Sequence, residues 1–114
     1  MNFLNKNGMN TSANKYDAVE SLIYEEGLRI QALDFHPELD LMLVILNTKA
    51  ILRQKLSSFT RLAQATPEQL HNFQLIGEGT GIYWPDVDED LSLKGLLQNE
   101  LRALVGQEKK PKAA

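Results

Sequence analysis

Apolar residues along this chain change rhythm several times, and the changes mark its elements. Tyr16, Val19 and Ile23 fall on one face at helical spacing, with Leu22 beside them. Asn14 is placed to cap this first helix, Asp17 favours the positive end of its dipole, and Gly27 can close it in the left-handed conformation. From Leu28 the period drops to two. Leu28-Arg29-Ile30-Gln31-Ala32 alternates as a half-buried strand does, and a slip of phase at Ala32-Leu33 predicts a bulge. After a turn at Pro37-Glu38-Leu39-Asp40, Leu41 to Leu46 are apolar at every position, which predicts a central strand covered on both faces. Asn47-Thr48 is a plausible hairpin turn into a third strand, Ala50 to Leu56, completing an antiparallel meander.

Two short helices are expected next. Ser57 or Ser58 would cap the first, which carries Phe59, Leu62 and Ala63. Thr66-Pro67-Glu68-Gln69 opens the second: Thr66 is the N-cap, Pro67 suits the first helical position, and Gln69 closes a capping box. Phe73 to Ile76 and Gly81 to Trp84 read as further strands around a glycine bend containing Gly79 and Gly81, with an acidic loop at Asp86, Asp88, Glu89 and Asp90 after them. Ser92 caps a last helix, Leu91 and Leu96 are placed as a hydrophobic staple, and Leu93, Leu96, Leu97, Leu101 and Leu104 form its apolar stripe. Residues 1–14 read as a loose polar arm and 107–114 as a solvated tail, which leaves a single domain over 15–106. The fold class expected is α+β: a meander extended by one or two short strands and packed by short helices and a C-terminal helix.

Composition narrows the chemistry. The 114 residues are 43% hydrophobic and 24% charged, with a formal net charge of −3, so a nucleic-acid grip through phosphate neutralisation is disfavoured. Zero cysteines exclude disulfides and thiolate chemistry and suit a reducing compartment. No apolar run reaches membrane-spanning length and no signal peptide is visible, so the expectation is a cytoplasmic protein without membrane contact.

None of the chemistry-bearing patterns completes a site. Gly77-x-Gly79-x-Gly81 leads into a strand rather than a helix, so it permits a bend rather than cradling a phosphate. Asp86-x-Asp88-x-Asp90 resembles the start of a calcium loop, but Leu91 replaces the turn glycine and Leu97 the bidentate glutamate. His36 and His71 lack a third nitrogen or sulfur ligand, and both read as surface histidines. A helix-turn-helix made of Ser58–Ala65 and Pro67–Phe73 would offer a recognition helix with no Lys or Arg. Trp84, flanked by Tyr83 and Pro85, reads as a packing residue. No cofactor, metal or catalytic set is expected.

Phe59 to Leu70, Gly79-Thr80-Gly81-Ile82-Tyr83-Trp84-Pro85 and Asp88 to Leu97 together resemble the bacterial domain-of-unknown-function family two-four-four-two. The resemblance covers roughly residues 28–98. It implies a small α+β domain, found alone or joined to a helix-turn-helix DNA-binding domain, and often encoded beside another small protein as toxin–antitoxin pairs are. It supplies no agreed catalytic residues. The chain departs from the pattern at Thr48-Lys49 (usually Asn/Asp-Gly), Gln54-Lys55 (Phe-Pro), Thr60 (Pro) and Tyr83 (His). The expected function is a protein-binding module, antitoxin-like or regulatory, with Asp86, Asp88, Glu89 and Asp90 as partner contacts and Trp84, Gly79, Gly81, Thr66 and Pro67 as structural residues. A DNA-associated regulator is the alternative, and an enzyme is less expected.

Overall fold

A computed structural model describes residues 15–106. Its elements are α1 (Ala18–Tyr24), β1 (Ile30–His36), β2 (Leu41–Leu46), β3 (Ile51–Lys55), α2 (Thr60–Ala63), α3 (Pro67–His71), β4 (Gln74–Ile76), β5 (Gly81–Trp84), β6 (Glu89–Ser92) and α4 (Leu93–Leu104). Two antiparallel three-stranded sheets, β1-β2-β3 and β4-β5-β6, make an α+β fold. The short strands thus form a sheet of their own instead of extending the meander.

In the first sheet β2 is central. Phe35 pairs with Met42, and Met42 with Gln54; Leu33 pairs with Val44, and Val44 with Leu52. Residues directly opposite share a face, so these define the side turned to the core. Met42, Val44 and Leu46 are buried on that side, while Leu41, Leu43 and Ile45 on the other are only half-buried. The uniform apolar run therefore has one fully covered face, not two. A bulge is present, but before Ala32 rather than at the Ala32-Leu33 step: Ile30 pairs with Leu46 and Ala32 with Ile45, leaving Gln31 as the extra residue.

The β2–β3 turn uses three residues. Lys49 N–H donates to Leu46 O at 2.9 Å and Leu46 N–H to Ala50 O at 2.9 Å, with Lys49 at φ 78°. This is a tight turn followed by a left-handed residue, the position glycine favours. The departure noted at Thr48-Lys49 therefore falls where the backbone asks for glycine.

Helix starts show which local signals the chain obeys. Asn14 lies outside the described residues; α1 is capped by Asp17, whose side chain accepts from Glu20 N–H at 2.8 Å while Glu20 Oε1 accepts from Asp17 N–H at 3.1 Å. Of the α1 face expected inside, Ile23 is buried, whereas Tyr16 stacks on Tyr24 with ring centroids 5.3 Å apart at the surface. Neither Ser57 nor Ser58 caps α2, whose N-cap is Phe59. Ser57 is occupied elsewhere: its Oγ and N–H donate to the Asp40 carboxylate at 2.6 and 2.8 Å, which holds Asp40 below the usual carboxylate pKa. That bond ties the β1–β2 turn to the segment after β3.

At α3 the capping box is complete. Thr66 Oγ1 accepts from Gln69 N–H at 3.2 Å and Gln69 Oε1 accepts from Thr66 N–H at 2.9 Å, with Pro67 at the first helical position. Replacing Thr66 with Ala should cost about 1 kcal/mol, read as a lower urea midpoint with an unchanged slope. An unchanged midpoint would mean that the cap carries no net stability.

One buried cluster joins both sheets and the helices; it includes Ile23, Ile30, Met42, Val44, Leu62, Leu70, Ile82, Trp84, Leu93 and Leu96. Trp84 is 0% exposed, and its Nε1–H donates to Leu70 O at 3.0 Å, fastening α3 to β5. Gly79, in the turn that leads into β5, packs closely on the start of β1: a Cβ there would stand 2.7 Å from Ile30 O, and its φ is +95°. Ser92 caps α4 by accepting from Gly95 N–H at 3.0 Å. Lys94 on α4 reaches α1, with Nζ 2.9 Å from Glu20 Oε2 and 3.2 Å from Asp17 Oδ2. Hydrogen bonding to those two carboxylates raises the Lys94 pKa. The apolar stripe of α4 divides along its length: Leu93 and Leu96 are buried, but Leu101 and Leu104 are 52% and 72% exposed.

Candidate functional site

The acidic segment is a β-hairpin rather than a loop. Trp84 pairs with Glu89, Tyr83 with Asp90, Ile82 with Leu91 and Gly81 with Ser92, so Glu89 and Asp90 begin strand β6. The turn between the strands holds Asp86, Val87 and Asp88, with Asp88 left-handed at φ 52°. Asp tolerates that conformation better than most residues because its short side chain can bond locally.

The hairpin does not gather all four carboxylates on one face. Asp86 Oδ2 accepts from Asn72 Nδ2 at 2.9 Å, which anchors the turn to the segment after α3. Asp88 stands at the tip with its side chain 87% exposed; Arg61 of α2 donates to its carbonyl and lies 4.0 Å from its carboxylate. Glu89 is half-buried and lies on Trp84's side of the sheet, while Asp90 is exposed on Tyr83's side. Asp86, Asp88 and Asp90 thus form the accessible acidic edge, and Glu89 is separated from Asp90 by the pleat.

The remaining candidates have packing surroundings. Gly77 and Gly79 take positive φ in a short 3-10 turn leading to β5, and the turn opens no helix. Gly81 is close-packed: a Cβ would meet Ile76 Cγ1 at 3.1 Å. His36 Nε2 is 2.9 Å from Asp34 Oδ2, and that hydrogen bond raises the imidazole pKa. His71 Nδ1 is 2.8 Å from Pro67 O, and its ring meets Phe35 edge-on with centroids 5.2 Å apart. Among the described residues no group of three His, Asp or Glu side chains is placed to hold a metal ion. None of their helices is long and apolar enough to cross a membrane. The pair α2 and α3 spans only Thr60–Ala63 and Pro67–His71, shorter than the two helices expected at Ser58–Ala65 and Pro67–Phe73.

Two small antiparallel sheets closed by a C-terminal helix define a compact α+β module, with an acidic hairpin at one edge. The family model for "Protein of unknown function (DUF2442)" matches residues 30–102, and the chain belongs to that family. Its fold is similar to a crystal structure of a protein of unknown function from Rhodospirillum rubrum ATCC 11170, at 25% identity and a TM-score of 0.56, over 63% of this chain and 87% of that one. It is also similar to the solution structure of an uncharacterized protein from Chromobacterium violaceum, at 26% identity and a TM-score of 0.59, over 89% of this chain and 100% of that one. No curated protein matches the chain.

Proposed function

We propose that this protein acts by binding another protein, as an antitoxin-like or regulatory partner of a neighbouring small protein, and that it is not an enzyme. The observation that supports this reading is the construction of the acidic hairpin. Its turn is anchored through Asn72 and Arg61, its second strand is fixed by the β5–β6 ladder, and Asp88 and Asp90 still face solvent. Charged side chains on a rigid support bind without first ordering a flexible loop. Complementary basic charge on the partner would mainly raise the association rate, and the complex should weaken with salt.

The test is co-expression with the product of the adjacent gene, followed by co-purification of wild type and an Asp88→Asn/Asp90→Lys variant. The first change keeps a residue that tolerates the left-handed turn, and the second reverses charge at an exposed strand position, so the fold should persist by circular dichroism. A complex lost only in the variant supports both the partner and the edge. No complex, together with specific retention of DNA in a gel shift, would replace this reading with that of a DNA-associated regulator.

A further inference from the structure

Away from the acidic hairpin, a cleft of about 870 Å³ opens between the C-terminal half of α4 and the end of the first sheet. That is within the size range of small-molecule sites, roughly 300–1,000 Å³. Leu39, Leu41 and Phe59 supply apolar wall, and Arg53, Lys55 and Arg102 supply three cations. Asp40 is the single carboxylate lining it, and Ser57 already donates two hydrogen bonds to that group. A chain of net charge −3 therefore carries a locally positive concavity. Among the described residues Arg53, Lys55 and Arg102 form no ion pair, although five other ion pairs are made.

A second observation points the same way. Gln54 also lines the cleft and is the one buried polar side chain among the described residues, at 6% exposure. It occupies the core face of β3, while Arg53 and Lys55 point to the opposite face, so the cleft wraps around this edge strand and Gln54 stands where an apolar residue would pack without cost. Its amide is poorly satisfied, with Nε2 3.5 Å from Leu96 O and Oε1 3.4 Å from Asn99 Nδ2. Bonds at that length contribute little, and a buried amide left short of partners is destabilising. Arg102 does donate to Asn99 Oδ1 at 3.2 Å, and Lys55 adds to the Ser57 hydrogen bonds in lowering the Asp40 pKa. A buried amide with spare bonding capacity beside three cations outside any salt bridge and an aromatic wall nevertheless suits a ligand site.

We propose that this cleft binds a small organic anion with an apolar body, its carboxylate or phosphate reaching Arg53, Lys55 and Arg102 while its body lies against Leu39 and Phe59 and Gln54 bonds its polar junction. The chain's own outer segments are poor occupants by charge: residues 1–14 contain no Asp or Glu, and residues 107–114 hold Glu108 against Lys109, Lys110 and Lys112. The site is independent of the acidic hairpin, so either proposal can fail alone.

The experiment is a titration of the ¹⁵N-labelled full chain with decanoate, followed by amide shifts, with decanol and inorganic phosphate as separate arms. Decanoate should give saturable shifts at Arg53, Gln54, Phe59 and Asn99. Decanol and phosphate should each bind about tenfold or more weakly, because each keeps only half of the interaction. Arg53→Gln/Arg102→Gln, both at exposed side chains, should weaken decanoate about tenfold. Gln54→Met, which fills the same space without an amide, should weaken it while leaving the thermal midpoint unchanged or raised. Equal binding of decanol, retained affinity in the double variant, or the absence of saturable cleft shifts would each overturn the proposal. Shifts at the same amides that depend on protein concentration without any ligand would assign the cleft to a second copy and overturn it as well.

Discussion

Trp84→Ala should lower stability by about 3–5 kcal/mol, a large part of what a domain of this size has. The indole is 0% exposed, sits in the cluster shared by both sheets, and spends its one donor on Leu70 O at 3.0 Å. Truncation would open a cavity between β5 and α3 and also leave the Leu70 carbonyl without its indole donor. The two losses are separable. Trp84→Phe keeps most of the volume but not the donor, so it should fall between wild type and Ala by about 1–3 kcal/mol below wild type. Urea unfolding followed by far-ultraviolet circular dichroism measures both. A wild-type midpoint in the Ala variant would mean that the indole is not a keystone of the core.

Gly79→Ala should cost about 3 kcal/mol or more, through two additive causes. A left-handed φ of +95° strains any L side chain, and the new Cβ would meet the backbone oxygen of Ile30 at 2.7 Å and Arg29 Cβ at 3.2 Å. Backbone on the first sheet cannot swing aside as a flexible side chain could, so the turn would have to move away from the start of β1. Gly27→Ala is the control, because φ there is +81° but nothing lies within 4 Å of the added methyl. It should show the conformational penalty alone, about 1 kcal/mol. Equal losses at the two positions would mean that the close approach of the turn to β1 contributes nothing.

How far the fold was legible from residues depended on how local the cause was. The three meander strands, the bulge near Ala32, the box at Thr66 and Gln69, and the cap at Ser92 each follow from a few adjacent residues, and each is formed. Strand β6 was missed because Glu89 and Asp90 are weak strand formers; pairing with Tyr83 and Trp84 across the hairpin overrides that preference. Ser57 and Ser58 both suit a helix cap by their side chains, yet Asp40, far away in sequence, takes both donors of Ser57 and Phe59 opens the helix. The cleft had no signal at all. Arg53, Gln54 and Lys55 look like ordinary alternation, and only the packing of α4 beside β3 brings them to Asn99 and Arg102.

By itself, then, the sequence determined the family, the α+β class, the order of most elements and the caps of the last two helices at Thr66 and Ser92, because periodicity and capping act over one or two turns. The tertiary structure alone decided that the strands divide into two sheets, and that one face of β2 is closed while the other is only half-covered. It also split the acidic cluster across a hairpin and brought Arg53, Gln54, Lys55 and Arg102 to one cleft. Those features arise where segments distant in the chain compete for the same space and the same hydrogen bonds, and no local pattern records the winner.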